Sequence, residues 1–203
     1  MNVVLLGATG NAGSRILAEL LARGHRVTAI ARNTASLAPR GGLTVKSGDV
    51  NDAAALAPLL AGHDAVISST RFQSTDPQVL LDAIATAGVP RLLMVGGAGS
   101  LEVAPGVALI DTPEFPAAYK AEASAGRDAL NALRGTESLD WTFLSPSALF
   151  APGERTGRFR LGTDQLLVDG AGNSHVSMED YAIALVDELE TARHSRRRFT
   201  VGY

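Results

Sequence analysis

The feature that most constrains this chain is a glycine-rich turn near its start, placed between an apolar strand and an amphipathic helix. The turn, residues 7–13, reads Gly-Ala-Thr-Gly-Asn-Ala-Gly and follows four apolar residues. Gly7 allows a sharp turn off the strand, Gly10 allows a pyrophosphate to approach the backbone, and Gly13 allows the helix to pack closely. The N-terminus of the helix offers free N–H groups and a positive dipole end to phosphates. The motif therefore predicts a dinucleotide site that includes Gly7, Thr9, Gly10, Asn11, Ala12 and Gly13, against the alternative of a turn that binds nothing.

The rest of the chain alternates short apolar runs with longer amphipathic segments, which predicts βαβ units around a parallel sheet. Strands are expected at 2–6, 26–31, 43–46, 64–68, 91–95, 139–144 and 199–201. Helices are expected at 14–23, 52–61, 76–87 and 117–133, with a last one beginning at Ser177. The 203 residues carry no repeat or linker and suit one domain. We expect an α/β fold with a Rossmann-type, doubly wound, mainly parallel sheet over 1–203, with substrate-side loops at 96–116 and 151–164.

Composition excludes several classes of function. The net charge is −3, so no overall positive field attracts nucleic acid or an anionic membrane. The absence of cysteine excludes disulfides, thiolate metal sites and a cysteine nucleophile. The four histidines show no metal-ligand spacing, so no metal is expected. The first residues contain no secretory leader and no apolar run approaches the roughly 20 residues of a membrane span, which favours a cytoplasmic protein.

The end of the second predicted strand bears on the choice of cofactor. NAD enzymes usually place Asp or Glu there, where the carboxylate binds the ribose hydroxyls. This chain has Arg32 instead, and a guanidinium can pair with the 2′-phosphate of NADP. Arg32 therefore favours NADP; a solvated arginine and an NAD cofactor are the alternatives.

Several further segments resemble those of atypical short-chain dehydrogenases/reductases of the NmrA-like branch. Within that branch the chain is similar to the biliverdin-IXβ reductase-like group, often described as NAD(P)H–flavin reductases. The segments are 7–13, Ala-Arg-Asn at 31–33, Gly-Asp-Val at 48–50, Met-Val-Gly-Gly-Ala-Gly-Ser at 94–100, Trp-Thr-Phe-Leu-Ser-Pro at 141–146, 152–157 and 198–203. The resemblance thus extends over the whole chain.

The resemblance implies a cofactor that runs along the carboxyl ends of the strands. The implied contacts, from the adenine through the ribose and pyrophosphate to the nicotinamide, are Asp49 and Val50, then Ser68, Ser69, Thr70 and Arg71, then Gly96 and Gly97 beneath the nicotinamide, and Ser145 and Pro146 above it.

The chain departs from the wider superfamily at the catalytic pair, a tyrosine followed four residues later by a lysine. Here Lys120 follows Tyr119 directly, and Ala123 stands where the lysine is expected. Neighbouring side chains on a helix point about 100° apart, so Tyr119 and Lys120 cannot cooperate in the usual way. Ser100 is displaced from the usual serine position. Ser100, Tyr119 and Lys120 remain candidate catalytic residues, with Lys120 either contacting a ribose or lying in solvent.

A reductase without this pair can still pass hydride directly to a conjugated acceptor, because the acceptor ring delocalises the charge and solvent supplies the proton. The favoured hypothesis is therefore an NAD(P)H-dependent reductase of a flavin or a similar small molecule. One alternative is a non-catalytic NADP-binding redox sensor that acts through a protein partner. Another is an epimerase or dehydratase that uses the cofactor catalytically.

The sequence does not decide the role of several charged residues in the second half of the chain. Two roles are open for Arg155, Arg158 and Arg160: they bind an anionic substrate group, or they are solvated side chains of a loop. The arginines at 196–198 and the carboxylates Asp169, Glu179 and Asp180 are expected on the surface.

Overall fold

The computed structural model describes residues 1–38 and 40–203. The described helices are α1 (Asn11–Ala22), α2 (Ala53–Leu60), α3 (Pro77–Ala87), α4 (Ala117–Arg134) and α5 (Met178–Glu190). The described strands are β1 (Asn2–Leu6), β2 (Arg26–Ala31), β3 (Leu43–Ser47), β4 (Ala65–Ser68), β5 (Arg91–Val95), β6 (Glu102–Ala104), β7 (Val107–Ala108), β8 (Asp140–Pro146), β9 (Leu149–Ala151), β10 (Arg160–Gly162), β11 (His175–Ser177) and β12 (Arg197–Gly202). Among these helices, none is long and apolar enough to cross a membrane.

Eight strands form the central sheet, in the order β3-β2-β1-β4-β5-β8-β12-β10. All neighbours in this sheet pair in parallel except β12 and β10, which pair antiparallel. The chain runs outward from β1 through β2 to β3 and then returns to the other side of β1 with β4. This reversal is the switch point of a doubly wound sheet, where ligands bind beyond the carboxyl ends of the strands. The predicted Rossmann-type fold is confirmed.

The first strand is apolar throughout because both faces of the sheet are covered. Val3 and Leu5 belong to the core under α1 and α5, whereas Val4 and Leu6 belong to the core under α2, α3 and α4. Tyr181, Leu185 and Leu189 of α5 are buried in the first of these cores, as their helical spacing predicts.

The two predicted loops contain regular structure that the sequence did not reveal. Within 96–116, β6 and β7 form a short antiparallel hairpin, and two 3-10 turns precede and follow it. Within 151–164, β10 pairs with the edge of the sheet through β12, which is longer than the predicted 199–201. The strands β9 and β11, which form a separate parallel pair, were also not predicted. Strands of two or three residues give no periodicity that a sequence pattern can detect.

Two charged residues that were expected on the surface are buried. Asp180 is fully buried and accepts hydrogen bonds from Thr156 Oγ1, from the Gly157 N–H at 2.8 Å and from the Tyr203 hydroxyl at 2.7 Å. Arg198 is 8% exposed and forms an ion pair with Asp164. A buried charge requires partners of this kind, and here the partners attach Thr156 and Gly157 to α5 and Asp164 to β12.

Candidate functional site

Two cavities lie along the carboxyl ends of the parallel strands and share part of their lining. The small cavity, about 350 Å³, lies beyond β1, β2 and β3, and the large cavity, about 760 Å³, lies beyond β5 and β8. Gly10, Ser69, Thr70 and Arg71 line both cavities. The two cavities therefore form one groove across the switch point of the sheet, which is where an extended dinucleotide fits.

The turn between β1 and α1 needs two of its glycines for the fold itself. Gly7 has φ +80°, and a Cβ there would lie 2.3 Å from the Ser69 carbonyl oxygen. A Cβ on Gly13 would lie 2.0 Å from the Gly7 carbonyl oxygen. At Gly10 the nearest atom to such a Cβ is 3.4 Å away, so this glycine is not required by packing inside the protein. Its bare backbone faces the place where the two cavities meet.

The helix α1 begins at Asn11, three residues earlier than predicted, and its N-terminus faces the groove. Gly10 is the N-cap and provides no side-chain cap, and the first intrahelical hydrogen bond runs from the Ser14 N–H to the Gly10 oxygen at 2.9 Å. The N–H groups of residues 11–13 therefore have no acceptor within the helix. Its first turn carries no acidic residue. Free N–H donors and the positive end of a helix dipole are the features that suit phosphate oxygens at a helix N-terminus.

The small cavity collects the residues predicted for the adenosine half of a cofactor. Gly7, Thr9, Arg32, Asp49 and Val50 all line it. Arg32 is exposed at the end of β2, where its guanidinium is accessible to a ligand. The Asp49 carboxylate accepts a hydrogen bond from the Asn51 N–H at 3.0 Å, which fixes the turn at the cavity wall.

Another wall of the small cavity was not predicted. The Asn51 amide donates to the Ser74 carbonyl at 2.9 Å and accepts from the Asp76 N–H at 2.9 Å, which attaches the segment after β4 to the segment after β3. Thr75 lines the cavity beside this clamp, and its buried Oγ1 has no hydrogen-bond partner among the described residues. A buried hydroxyl without a partner fits a site whose ligand has polar edges, such as a nucleotide base.

The large cavity collects three of the four residues predicted for the nicotinamide half and two of the catalytic candidates. Gly96, Gly97, Ser100, Tyr119 and Pro146 line it, together with Asn11 and Ala12 of α1. Gly96 is fixed against the sheet, because its N–H donates to Leu144 at 2.8 Å and a Cβ would lie 2.4 Å from the Phe143 ring.

Four of the predicted site residues do not line either cavity. Gly13 lies in the first turn of α1, and Lys120 is exposed on α4. Ser68 is 3% exposed, and its hydroxyl contacts Thr70 Oγ1 at 3.1 Å. Ser145 is fully buried, and its Oγ has no partner among the described residues.

The fold does not bring the three catalytic candidates together. Tyr119 is 67% exposed at the edge of the large cavity, and Ala123, one turn further along α4, also lines it. Ser100 lines the cavity, but its carbonyl and hydroxyl both accept from the Arg198 guanidinium, at 3.0 and 3.3 Å. Ser100 is therefore held by a buried cation rather than by a general base.

Sequence reasoning missed the aromatic and acidic lining of the large cavity. The three rings come from three different parts of the chain, and the two carboxylates come from the loop before α4 and from α4 itself. The residues are Phe72, Phe115, Phe150, Glu114 and Glu122. The Glu122 carboxylate accepts from the Phe72 N–H at 2.8 Å and the Gln73 N–H at 3.2 Å. Phe72 was within reach of sequence analysis, since it directly follows Arg71, whereas the others depend on tertiary contacts.

Two of the three arginines that were considered for an anionic substrate group, Arg155 and Arg160, contact the protein instead. Arg155 forms a two-pronged ion pair with Glu19, at 2.9 and 3.1 Å. Arg160 donates to the Val168 carbonyl at 2.6 Å and to the Tyr203 carbonyl. Arg155 and Arg158 line a separate shallow cavity, together with Glu154, Thr156 and Tyr203, and none of these residues lines the large cavity. Within residues 1–38 and 40–203, no cluster of three or more His, Asp or Glu side chains could hold a metal ion.

Comparisons with known proteins agree with this geometry. Residues 7–192 match the family described as NAD(P)H-binding. The uncharacterized protein YwnB of Bacillus subtilis is 41% identical, with 99% of this chain and 98% of that protein covered. Several solved structures are similar to this chain over its whole length, and three of them are at least 35% identical to it. A “putative exported protein” from Burkholderia pseudomallei is 50% identical with a TM-score of 0.91 and is covered over 100% of its length.

The other two structures carry names that bear on function. A “putative epimerase” from Bacteroides thetaiotaomicron is 44% identical, has a TM-score of 0.94 and is covered over 96% of its length. A “putative NADH-flavin reductase” from Streptococcus pneumoniae is 35% identical, has a TM-score of 0.85 and is covered over 99% of its length. The chain, whose fold agrees with these three structures over its whole length, belongs to the NAD(P)H-binding family.

Proposed function

We propose that this protein is an NAD(P)H-dependent reductase that transfers hydride directly to a flavin or a similar conjugated small molecule. The observation that carries the proposal is the large cavity beside the phosphate-binding turn, with Ala123 in the place of the usual lysine. The name of the Streptococcus pneumoniae relative, a “putative NADH-flavin reductase”, supports the same chemistry.

In this proposal the adenosine half of the cofactor lies in the small cavity and the nicotinamide half in the large one. The pyrophosphate lies at Gly10, where the free N–H groups of α1 meet the backbone of residues 69–71. Asp49, Val50 and Thr75 face the base. Gly96 and Gly97 lie on one side of the nicotinamide ring, with Pro146 on the other.

Arg32 is proposed to select NADP by pairing with the 2′-phosphate. Its exposed guanidinium at the wall of the small cavity supports this role. The relative from Streptococcus pneumoniae is named for NADH, so the preference needs a direct test.

NAD(P)H, when bound, supplies a hydride, and the two-electron reduction of a flavin consumes that hydride together with one proton from solvent. The protein needs only to bind both rings and to orient them, which are the contributions that positioning makes to catalysis. Phe72 lines the large cavity, and the buried ring of Phe143 stacks behind it with ring centroids 6.1 Å apart, which supports this part of the wall. A tyrosine–lysine pair is not required by this reaction.

The test is the oxidation of NADPH and NADH with riboflavin, FMN, FAD and biliverdin as acceptors, each against a control without protein. Saturable turnover, faster with NADPH, would support both the reductase and the role of Arg32. Tight cofactor binding with no turnover on any acceptor would contradict the proposal.

Two other functions remain candidates. The name of the Bacteroides thetaiotaomicron relative favours an epimerase, which would regenerate its cofactor and show no net oxidation of NAD(P)H. The absent tyrosine–lysine pair favours a non-catalytic sensor of the NmrA-like type, whose NADP complex would bind a partner protein with altered affinity. Net oxidation that matches acceptor reduction one to one would contradict both.

A further inference from the structure

The charge around the large cavity bears on which conjugated acceptor it takes, if the proposed function is correct. The charged residues that line this cavity are Arg71, Glu114, Glu122 and Arg127. The two arginines pair with other groups, and they therefore do not neutralise the charge of the two carboxylates.

The two arginines leave little positive charge for an acceptor. Arg127 donates to both carboxylate oxygens of Asp111, at 3.0 and 3.1 Å, so this pair is neutral as a unit. Arg71 lies where the two cavities meet, beside Gly10 and Ser69. In the proposed complex this is the position of the pyrophosphate, so the cofactor takes up the charge of Arg71.

The carboxylates face the remaining space. Glu122 accepts two backbone N–H groups and forms no ion pair with the described residues. Glu114, which precedes Phe115 in the chain, is exposed at the cavity wall. With the cofactor bound, the acceptor part of the large cavity therefore carries a net negative charge.

The other lining groups suit a flat and apolar molecule. Phe72, Phe115 and Phe150 surround the cavity, and Pro116 and Pro146 add further apolar surface. Aromatic rings bind planar conjugated systems by stacking and by burying apolar area.

We infer that the acceptor is a planar conjugated ring without an anionic group, so that riboflavin is preferred over its phosphate ester FMN and over FAD or a propionate-bearing tetrapyrrole. A phosphate dianion near one uncompensated carboxylate is disfavoured by Coulomb repulsion, which amounts to roughly a threefold or larger loss of affinity at separations of several ångströms in water. Salt screens such a repulsion, since the Debye length falls from about 10 Å at ~0.1 M to about 3 Å at ~1 M.

The test compares KM for riboflavin and for FMN with saturating NADPH, at low and at high salt. We expect KM for FMN to be at least about threefold higher at low salt, and the ratio of the two KM values to approach one at high salt. Glu114→Gln should lower the ratio. Glu137→Gln, the same change at an exposed position before β8, at the opposite edge of the sheet, should leave the ratio as in the wild type.

Flavin fluorescence titration of the complex with NADP⁺ gives the same comparison as dissociation constants, independent of turnover. A KM or Kd for FMN equal to or below that for riboflavin would overturn the inference and leave the proposed reductase standing. Absence of turnover and of binding with both flavins, while NADPH still binds, would instead overturn the proposed function together with this inference.

Discussion

At the scale of single residues, the three glycines of the first turn have separable roles. Gly7 and Gly13 are required because a side chain on either would collide with backbone. Gly10 has room for a methyl group within the protein, so its lack of a side chain matters only to a ligand that approaches it.

Gly10→Ala should therefore fold and bind NADPH at least about tenfold more weakly, a loss of about 1.4 kcal/mol or more. Gly13→Ala should instead lower the free energy of unfolding by about 1–3 kcal/mol, because the helix or the turn has to move. Urea unfolding measures the effect on stability, and NADPH titration measures the effect on affinity.

Gly41→Ala, at a position with open space around it, is the control. A Gly10→Ala protein with unchanged affinity for NADPH would argue against a pyrophosphate at this turn.

Arg32→Asp tests the choice of cofactor at the same scale. We expect Kd for NADPH to rise by about 10- to 100-fold, because a charge-assisted hydrogen bond contributes about 1.5–3 kcal/mol. Kd for NADH should change little or improve, since a carboxylate at this position can accept from the ribose hydroxyls. Arg193→Asp makes the same charge change at an exposed arginine remote from both cavities. Equal losses for both cofactors would refute the assigned role.

At the scale of elements, the N-terminus of α5 holds residues 151–157 in place. Ser177 caps the helix by accepting from the Asp180 N–H at 3.0 Å, as the sequence predicts. The Asp180 carboxylate does not return to the cap; it accepts from Thr156, Gly157 and Tyr203 instead. Burial of Asp180 by itself raises its pKa, but these hydrogen bonds outweigh burial and lower the pKa below its usual range.

The lowered pKa of Asp180 determines how the stability of the protein changes with pH. A carboxylate with a depressed pKa in the folded state stabilises the protein above its unfolded pKa of about 3.9, and this contribution is lost as the pH falls through the folded value. Asp180→Asn should lower the free energy of unfolding by about 1–3 kcal/mol at pH 7, because an amide cannot accept all three bonds. The difference from the wild type should shrink below about pH 4.

Denaturant unfolding at a series of pH values measures this difference. Asp128→Asn, the same change on the exposed surface of α4, should leave the stability nearly unchanged at every pH. A difference for Asp180→Asn that stays constant down to pH 3 would show that the carboxylate charge is not what stabilises this contact.

The sequence predicted the elements whose periodicity or caps are local. β1 is apolar at every position because both faces are buried, and this pattern is visible without a structure. β10 was missed because its three residues are held by pairing with β12, about forty positions further along the chain. The start of α1 was placed three residues late, because the glycines there are poor helix formers and only the geometry of the turn identifies Gly10 as the N-cap.

The candidate site also divides into a part with a local sequence signal and a part that depends on tertiary contacts. The half that we propose to bind phosphate follows one local motif and the ends of two strands, so the sequence indicates it directly. The half that we propose to bind the acceptor is assembled from side chains far apart in the chain, such as Phe72, Glu122 and Phe150. Arg198 illustrates the difficulty, since a run of three arginines predicts a solvated surface, whereas one of them is buried against Asp164 and Ser100.

At the scale of the whole molecule, the groove is lined by segments from both halves of the sheet. Its lining comes from the glycine turn, from the segments after β2, β3, β4, β5 and β8, and from α4. A dinucleotide that fills both cavities would bridge the halves of the fold on either side of the switch point. Binding should therefore stabilise the whole domain against unfolding, and not only the loops at the groove.

Thermal unfolding measures how much the bound dinucleotide stabilises the domain. A ligand that binds only the folded state adds about 2.7 kcal/mol at a concentration of 100 Kd, which corresponds to a rise in Tm of about 5–10 °C for a domain of this size. We expect that rise with NADPH, and a smaller one with NADH at the same concentration. Gly10→Ala should reduce both shifts, whereas Arg32→Asp should reduce the NADPH shift alone. Equal shifts for Gly10→Ala and wild type would mean that the nucleotide binds outside the groove, because a ligand held elsewhere would not sense a methyl group at the junction of the two cavities.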